Sequence, residues 1–343
     1  MHLLRHSDSA PARSLLLACA MISFCGCSRE KPDIRETKDS AGNIEAIQFY
    51  GRNVLNKDLQ VVAKHDALTR VEIQECSKVN DDGLTALIQA PQLEQISLVR
   101  VPITDDGLAI LADLANLSQL NLAHTEVKGS GLASLSAAGL TSLSIVSRTV
   151  DAAAMSSLEA LANDLQELQI DCQEVSLSEM PYLGQLKKLE SFVAMQTPVG
   201  EQGLESLRGL SGLRVLKLSS KDVGDSSIDA LNTLSSLEEA ELSKSTITDD
   251  GLGKLQLPNL KMLKLNGSVG ITDAGFERLA GLPNLEVLMA NGTGISGADF
   301  SGIRVLPNLK EIYILGNQFK GNDESIKQLK QILPNCELVI QNG

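Results

Sequence analysis

The residues best equipped for chemistry in this chain are paired aspartates. Asp105 and Asp106 stand before a glycine in ITDDG, residues 103–107, and the same pentapeptide returns at 247–251. NDDG at 80–83 and ITDAG at 271–275 are variants of it. Neighbouring carboxylates beside a glycine can hold a divalent cation. Stacked corners would bring Asp81, Asp82, Asp105 and Asp106 together for a weak one. A calcium loop, though, needs oxygens spaced as in D-x-D-x-D-G with a distant closing Glu, and roughly six to eight ligands in all. That spacing is absent. Other reactive groups are sparse. Beyond the N-terminal segment the histidines are His65 and His124, and Cys76, Cys172 and Cys336 lie far apart. Such scattering gives neither a zinc ligand set nor a disulfide framework. No Ser-His-Asp or Cys-His arrangement and no phosphate-cradling glycine loop emerges. The expectation is a chain without catalytic residues, resident metal or cofactor.

The corner reads better as the start of a helix. Thr104 occupies the N-cap position, and Asp105 and Asp106 fall in the first turn, where carboxylates favour the positive end of the helix dipole. Ile103 and Leu108 would point inward. What the corner punctuates is a repeat. Apolar anchors recur at Ile44, Leu68, Leu93, Leu117, Leu140, Leu165, Leu189, Leu213, Leu237, Leu260, Leu285 and Leu309, spaced 23 to 25 residues, and a last partial unit begins near Cys336. Each unit opens L-x-x-L-x-L, as in LSQLNL at 117–122 and LKMLKL at 260–265. This alternation makes a short strand with one face inward. Three residues after the hexad comes a small polar turn position: Cys76, Thr125, Thr197, Ser245, Ser268, Thr293 and Asn317. Cys76 in this set reads as a buried structural thiol. The second half of a unit carries leucines on one helix face, at Leu108, Leu111 and Leu114 and again at Leu204, Leu207 and Leu210. Strand, turn and helix repeated at this period stack into a curved solenoid.

Composition narrows the partners. Net charge is −13, from 30 basic and 43 acidic residues, which disfavours nucleic acid and anionic lipid surfaces. Aromatics are 3% with no Trp, so sugar-binding and base-stacking platforms lose their usual material. Residues 1–26 have the layout of an export signal: Arg5 and Arg13 supply charge, and Leu15 to Phe24 form an apolar run about half the length of a membrane span. Residues 27–43 are charged and lack apolar periodicity, the pattern of a flexible tether. The repeats fill 44–343.

These residues carry two resemblances. The repeats resemble the leucine-rich-repeat superfamily and are similar to the consensus ITDxGLxxLxxLxNLxxLxLxxT, common in bacterial repeat proteins, including exported ones of planctomycetes. They are close also to the repeats of F-box substrate receptors, though residues 1–43 show no F-box-like segment. Residues 103–125 and 271–293 match the consensus nearly throughout, whereas 140–164 and 165–188 drift, with SRTVDAAAM and CQEVSLSEM at their corners. The resemblance implies an α/β fold, a right-handed leucine-rich-repeat solenoid or horseshoe of about 12 repeats plus a terminal strand. The parallel sheet would line its concave face and helices its convex face. Protein binding is implied as well, without a named partner. Gly26 before Cys27 resembles a bacterial lipobox, with Phe24 where Leu is usual. That implies lipidation of Cys27 and an exported lipoprotein, membrane-anchored and facing the periplasm or the cell exterior.

The outward strand positions add detail. At the second position of successive units, Glu190, Arg214, Glu238, Lys261, Glu286 and Lys310 alternate in sign without a break. Lys217, Glu241 and Lys264 at the fifth positions do the same. Opposite charges on neighbouring strands would pair as a ladder, each exposed pair contributing about 0–1 kcal/mol. Beside this ladder, Val193, Met195, Val215, Met262, Val287, Met289, Tyr313 and Leu315 are apolar yet outward. An apolar patch with a polar rim marks a protein-binding surface, and Met adapts well to such contacts. The expectation is a non-enzymatic module of the cell envelope that holds a protein or peptide on its concave face, with membrane attachment through the N-terminal lipid only. The alternative is a structural envelope spacer or self-assembling scaffold; an enzyme comes third.

Overall fold

The computed structural model describes residues 31–200, 202–276, 278–296, 306–316 and 323–341. The expected signal at 1–26, the expected lipidation site Cys27 and the expected turn residue Asn317 lie outside the described residues.

Each unit contributes one strand. These are β1 (Asp33–Lys38), β2 (Ile44–Tyr50), β3 (Arg70–Gln74), β4 (Gln95–Val99), β5 (Gln119–Ala123), β6 (Ser142–Val146), β7 (Glu167–Asp171), β8 (Ser191–Ala194), β9 (Val215–Ser219), β10 (Glu239–Ser243), β11 (Met262–Lys264), β12 (Val287–Met289), β13 (Glu311–Leu315) and β14 (Glu337–Gln341). They form one open 14-stranded sheet in chain order. From β2 to β14 every neighbouring pair is parallel and in constant register. The inward residues of one row, such as Leu120, Leu143, Leu168, Phe192, Leu216, Ala240, Leu263, Leu288 and Ile312, are buried in a continuous core. A unit of this length cannot enclose a core of its own, so its apolar face is covered by the units before and after it.

Parallel strands need a crossover, and the second half of each unit supplies it. The corners with an acidic residue and glycine begin true α-turns: α1 (Asp81–Leu84), α2 (Asp105–Leu111), α4 (Asp249–Leu252) and α5 (Asp273–Phe276), with α3 (Ile228–Leu231) and the longer α6 (Asp323–Ile332) completing the set among the described residues. Elsewhere the expected helices are tighter. Ser130–Ala137, Ala154–Leu161 and Gly203–Leu207 are 3-10 helices. With so few residues left after strand and turns, i→i+3 bonding replaces longer α-helices.

The N-terminal boundary differs from expectation. Residues 33–43, assigned by composition to a flexible tether, form β1 and a hairpin onto β2. Asp39 accepts N–H bonds from Ala41 and Asn43 to close the turn, and Ile34 packs against the core. High charge is misleading at such a place, because charged side chains are what keep an edge strand from pairing with other chains. β1 also occupies His65, whose Nε2 lies 3.6 Å from a Glu36 carboxylate oxygen.

The residue after the strand is left-handed in many units, at Glu75, Arg100, His124 and Lys244 (φ 53 to 57°) and at Gly316, and Gly267 and Gly292 are left-handed at the same position of the repeat. Its N–H reaches the neighbouring unit, as Glu75 to the Val99 carbonyl at 2.9 Å and His124 to the Val146 carbonyl at 2.6 Å. His124 is thus a turn residue. In the drifting units the equivalent residues Ser147 and Cys172 are not left-handed and are buried, one position earlier than the expected turn site.

Candidate functional site

The corner carboxylates bind the solenoid to itself. Thr104 caps α2 as expected, its hydroxyl accepting from the Asp106 N–H at 3.2 Å. The Thr104 N–H and hydroxyl are themselves donated to Asp81 of the preceding unit, at 2.9 and 2.7 Å. The same latch joins Thr248 to Asp225 and Thr272 to Asp249, at 2.8 and 2.6 Å in each case. Ser296 bonds Asp273 likewise, at 3.1 and 2.6 Å. Asp105 instead accepts from the backbone N–H groups of Lys128, Gly129 and Gly131. These are charge-assisted bonds, stronger than neutral ones. Gly107 belongs to the device, because a Cβ there would run into the Asp81 carboxylate and the Ile103 side chain. Oxygens held by N–H and O–H donors are poorly placed to ligate a cation. Among the described residues no group of His, Cys, Asp and Glu is arranged to hold a metal.

The drifting units lack this latch. Asp151 accepts from Ala153 and Ala154 in its own turn. Asp222, in the latched unit of Asp225, accepts from the Gly200 N–H of the preceding unit at 2.9 Å and from the Ser220 hydroxyl at 3.1 Å. It helps to line a recess of about 320 Å³ with Gln196, Thr197, Pro198, Ser219, Ser220, Lys221 and Lys244. The cysteines are similarly committed. Burial pushes the Cys76 and Cys172 thiols up to about 11, so they stay protonated and unreactive at neutral pH.

The outer face of the sheet is different in kind. Parallel register sets its side chains in rows. One row runs Gln95, Gln119, Ser142, Glu167, Ser191, Val215, Glu239, Met262, Val287, Glu311 and Glu337. The next runs Ser97, Asn121, Ser144, Gln169, Val193, Lys217, Glu241, Lys264, Met289, Tyr313 and Val339. From β4 to β7 both rows are polar. Small hydroxyls and amides there bond one another, as Asn121 Nδ2 to Ser97 Oγ at 3.0 Å.

Charge dominates the centre, β9 to β11. Arg214 pairs with Glu238 at 2.5 Å and lies 4.0 Å from Glu190, and Lys261 pairs with Glu238 at 2.7 Å. The Lys261 hydrogen bond holds Glu238 below the ordinary carboxylate range against partial burial, helped by Arg214. The expected ladder then breaks. Lys261 and Glu286 form no ion pair among the described residues, and Glu286 turns to Lys310 at 2.7 Å. A second cluster centres on Glu239, which takes Lys217 and Lys264 at 3.1 Å each, with Lys264 also 3.5 Å from Glu241. Burial alone would raise Glu239, but the Lys264 hydrogen bond and the Lys217 charge hold it low. Alternation at the second and fifth positions points past Glu239. It sits at the third, and the diagonal across strands brings both lysines to it.

The apolar residues fall into two sets. Val193 lies between Gln169 and Lys217, and Val215 between Ser191 and Glu239, so these are isolated among polar neighbours. Met195 lies just beyond the end of β8. By contrast Met262 adjoins Val287, and Met289 adjoins Tyr313, which adjoins Val339. Leu315, two residues on from Tyr313, extends the group. These form one island over β11 to β14, each member half-buried. Val339 was not among the expected residues, because the last strand has no complete repeat to give its register.

From β2 to β14 the sheet is built of parallel, in-register strands, one per unit of 23 to 25 residues, with short helical crossovers. Solved structures share it. The yeast Rad7 protein in its complex with Elc1 is 23% identical, with a TM-score of 0.54 over 85% of this chain and 81% of that one. An internalin from Listeria monocytogenes is 18% identical, with a TM-score of 0.52 over 78% of this chain and 90% of the other. The chain folds as a leucine-rich-repeat protein. A leucine-rich-repeat protein of Leptospira interrogans gives a TM-score of 0.50 at 15% identity, covering 81% of this chain and 80% of that one. No protein-family model and no curated protein matches the sequence. At these identities the likeness speaks for the leucine-rich-repeat fold alone.

Proposed function

We propose that this leucine-rich-repeat chain is a non-enzymatic protein-binding module whose docking surface is the outer sheet face over β11 to β14. One observation carries the reading: the contiguous island of Met262, Val287, Met289, Tyr313 and Val339, spanning two rows of the sheet face that are polar over β4 to β7. Outward apolar groups clustered on adjacent strands lower the free energy when a partner covers them, and scattered ones do so far less. Four adjacent strands spaced at about 4.8 Å span a width suited to an extended segment or a helix. That Rad7 is found in complex with Elc1 is in keeping with such a role. In the same reading the chain is exported and held at a membrane by a lipid on Cys27, facing the periplasm or the cell exterior. No helix among the described residues is long and apolar enough to cross a membrane. Replacing Cys27 by Ala should abolish both precursor processing and membrane attachment; unchanged behaviour in both would remove the lipid from the account.

Capture from a cell-envelope extract, compared between wild type and Met262→Asp or Met289→Asp, tests the docking surface. The captured protein should be lost in both variants while circular dichroism stays that of the wild type. Retention by both variants would refute the assignment. A second reading, self-assembly into an envelope scaffold, is favoured by one feature. β14 ends the sheet, and its core-side residues Leu338 and Ile340 are only partly buried, so a second copy could pair along that edge. Concentration-dependent light scattering that survives Met289→Asp would support it over partner binding.

A further inference from the structure

We propose that the segment received by the island carries an arginine or lysine beside an apolar side chain, with the cation seated between Glu311 and Glu337. The inference rests on the island being a docking surface and deepens it by naming the partner's chemistry. Glu311 and Glu337 are directly paired across β13 and β14. Like charges side by side on a sheet destabilise it. Elsewhere on this half of the face the carboxylates have cations. Glu238 has Arg214 and Lys261, Glu239 has Lys217 and Lys264, and Glu286 has Lys310. Among the described residues Glu311 has only the Tyr313 hydroxyl, which donates to it at 2.9 Å, and the Glu337 side chain has no partner. The nearest lysine in sequence, Lys310, is committed to Glu286.

The two carboxylates border the apolar island through Val287, Tyr313 and Val339. A docking segment with apolar side chains over Met289 and Tyr313 would thus bring its neighbouring residue over two uncompensated charges. An acidic or neutral residue there would bury carboxylates without compensation, which is costly. A cation would give these carboxylates the opposite charge that Glu238, Glu239 and Glu286 already have. Arginine suits the place best, since its planar fork can reach two acceptors at once. The net charge of −13 adds a long-range attraction for basic segments.

Random twelve-residue peptides displayed on phage and selected on the full chain test this directly. Enriched peptides should pair Arg or Lys with Leu, Ile, Val or Phe. Glu311→Gln with Glu337→Gln should weaken their binding roughly tenfold, as loss of close interfacial charge pairs does. Glu167→Gln, in the same row on β7, should leave it unchanged. Selection of acidic or uncharged peptides, or an unchanged affinity in the double glutamine variant, overturns the proposed cation. If Met289→Asp abolishes binding while the glutamines do nothing, the cation fails and the docking surface stands. If neither change matters, or no peptide is enriched, both fail.

Discussion

Two sets of carboxylates can be compared in this molecule, the aspartates of the corners and the glutamates of the sheet face. The corner acids look more like chemistry in the sequence, because they come in pairs beside glycine. In the structure Asp81, Asp225 and Asp249 each accept an N–H and an O–H from the following unit. Their hydrogen-bonding capacity is turned inward along the solenoid. The sheet-face glutamates have no glycine beside them in sequence and form a graded series in space. Glu238 and Glu239 are clamped by two cations each, Glu286 by one, and Glu311 and Glu337 by none among the described residues. The comparison teaches that proximity of acids in sequence says little about availability. What matters is which donors the next repeat brings.

The largest expected effect separates latched from unlatched corners. Asp249→Ala removes two charge-assisted bonds and leaves the Thr272 N–H short of a partner, which should cost about 3 kcal/mol in urea unfolding. Asp151→Ala loses only a local turn cap and should cost about 1 kcal/mol. Equal losses would dissolve the distinction between the two kinds of corner. A smaller effect concerns the clamped glutamates. Glu238 and Glu239 are held below the ordinary value of 4.5, so their stabilisation is present above that pH and is lost as pH falls through their folded values. The melting temperature should therefore drop between pH 6 and pH 3, and Glu239→Gln, losing about 1 kcal/mol at pH 6, should show a shallower drop. An unaltered pH profile in that variant would mean the clamp does not stabilise the fold. The smallest effect belongs to the unclamped pair. Glu311→Gln should change stability by less than about 0.5 kcal/mol, with relief of repulsion the favoured direction. A loss comparable to that of Glu239→Gln would show that Glu311 is structural after all.

Much of this is legible in the sequence. The period, the strand register and the Thr104 cap follow from residue spacing alone, because a solenoid turns sequence period directly into spatial neighbourhood. What escaped has physical causes. The Asp81-to-Thr104 latch links residues 23 apart, and helix-cap reasoning looks only within one corner. Strand β1 escaped because its charges, Asp33, Arg35, Glu36 and Lys38, mimic a disordered tether while serving an edge. Left-handed turns at Glu75, Arg100, His124 and Lys244 carry no glycine to announce them. Tight 3-10 crossovers at 130–137 and 203–207 share the leucine spacing of an α-helix over so few residues. On the sheet face, the apolar residues could be read off one by one. Only the register could separate the isolated Val193 and Val215 from the contiguous Met262, Val287, Met289 and Tyr313.

The central claim is that this C-terminal island, and not the polar face of β4 to β7, receives a partner. Fluorescence anisotropy with a labelled peptide from the selection, titrated with wild type, Met289→Asp and Asn121→Asp, compares the same row at its two ends. The account predicts at least about 30-fold weaker binding for Met289→Asp, as for a central interface residue, with an unchanged circular dichroism spectrum and wild-type affinity for Asn121→Asp. Wild-type affinity in Met289→Asp, or an equal loss in Asn121→Asp, would contradict it.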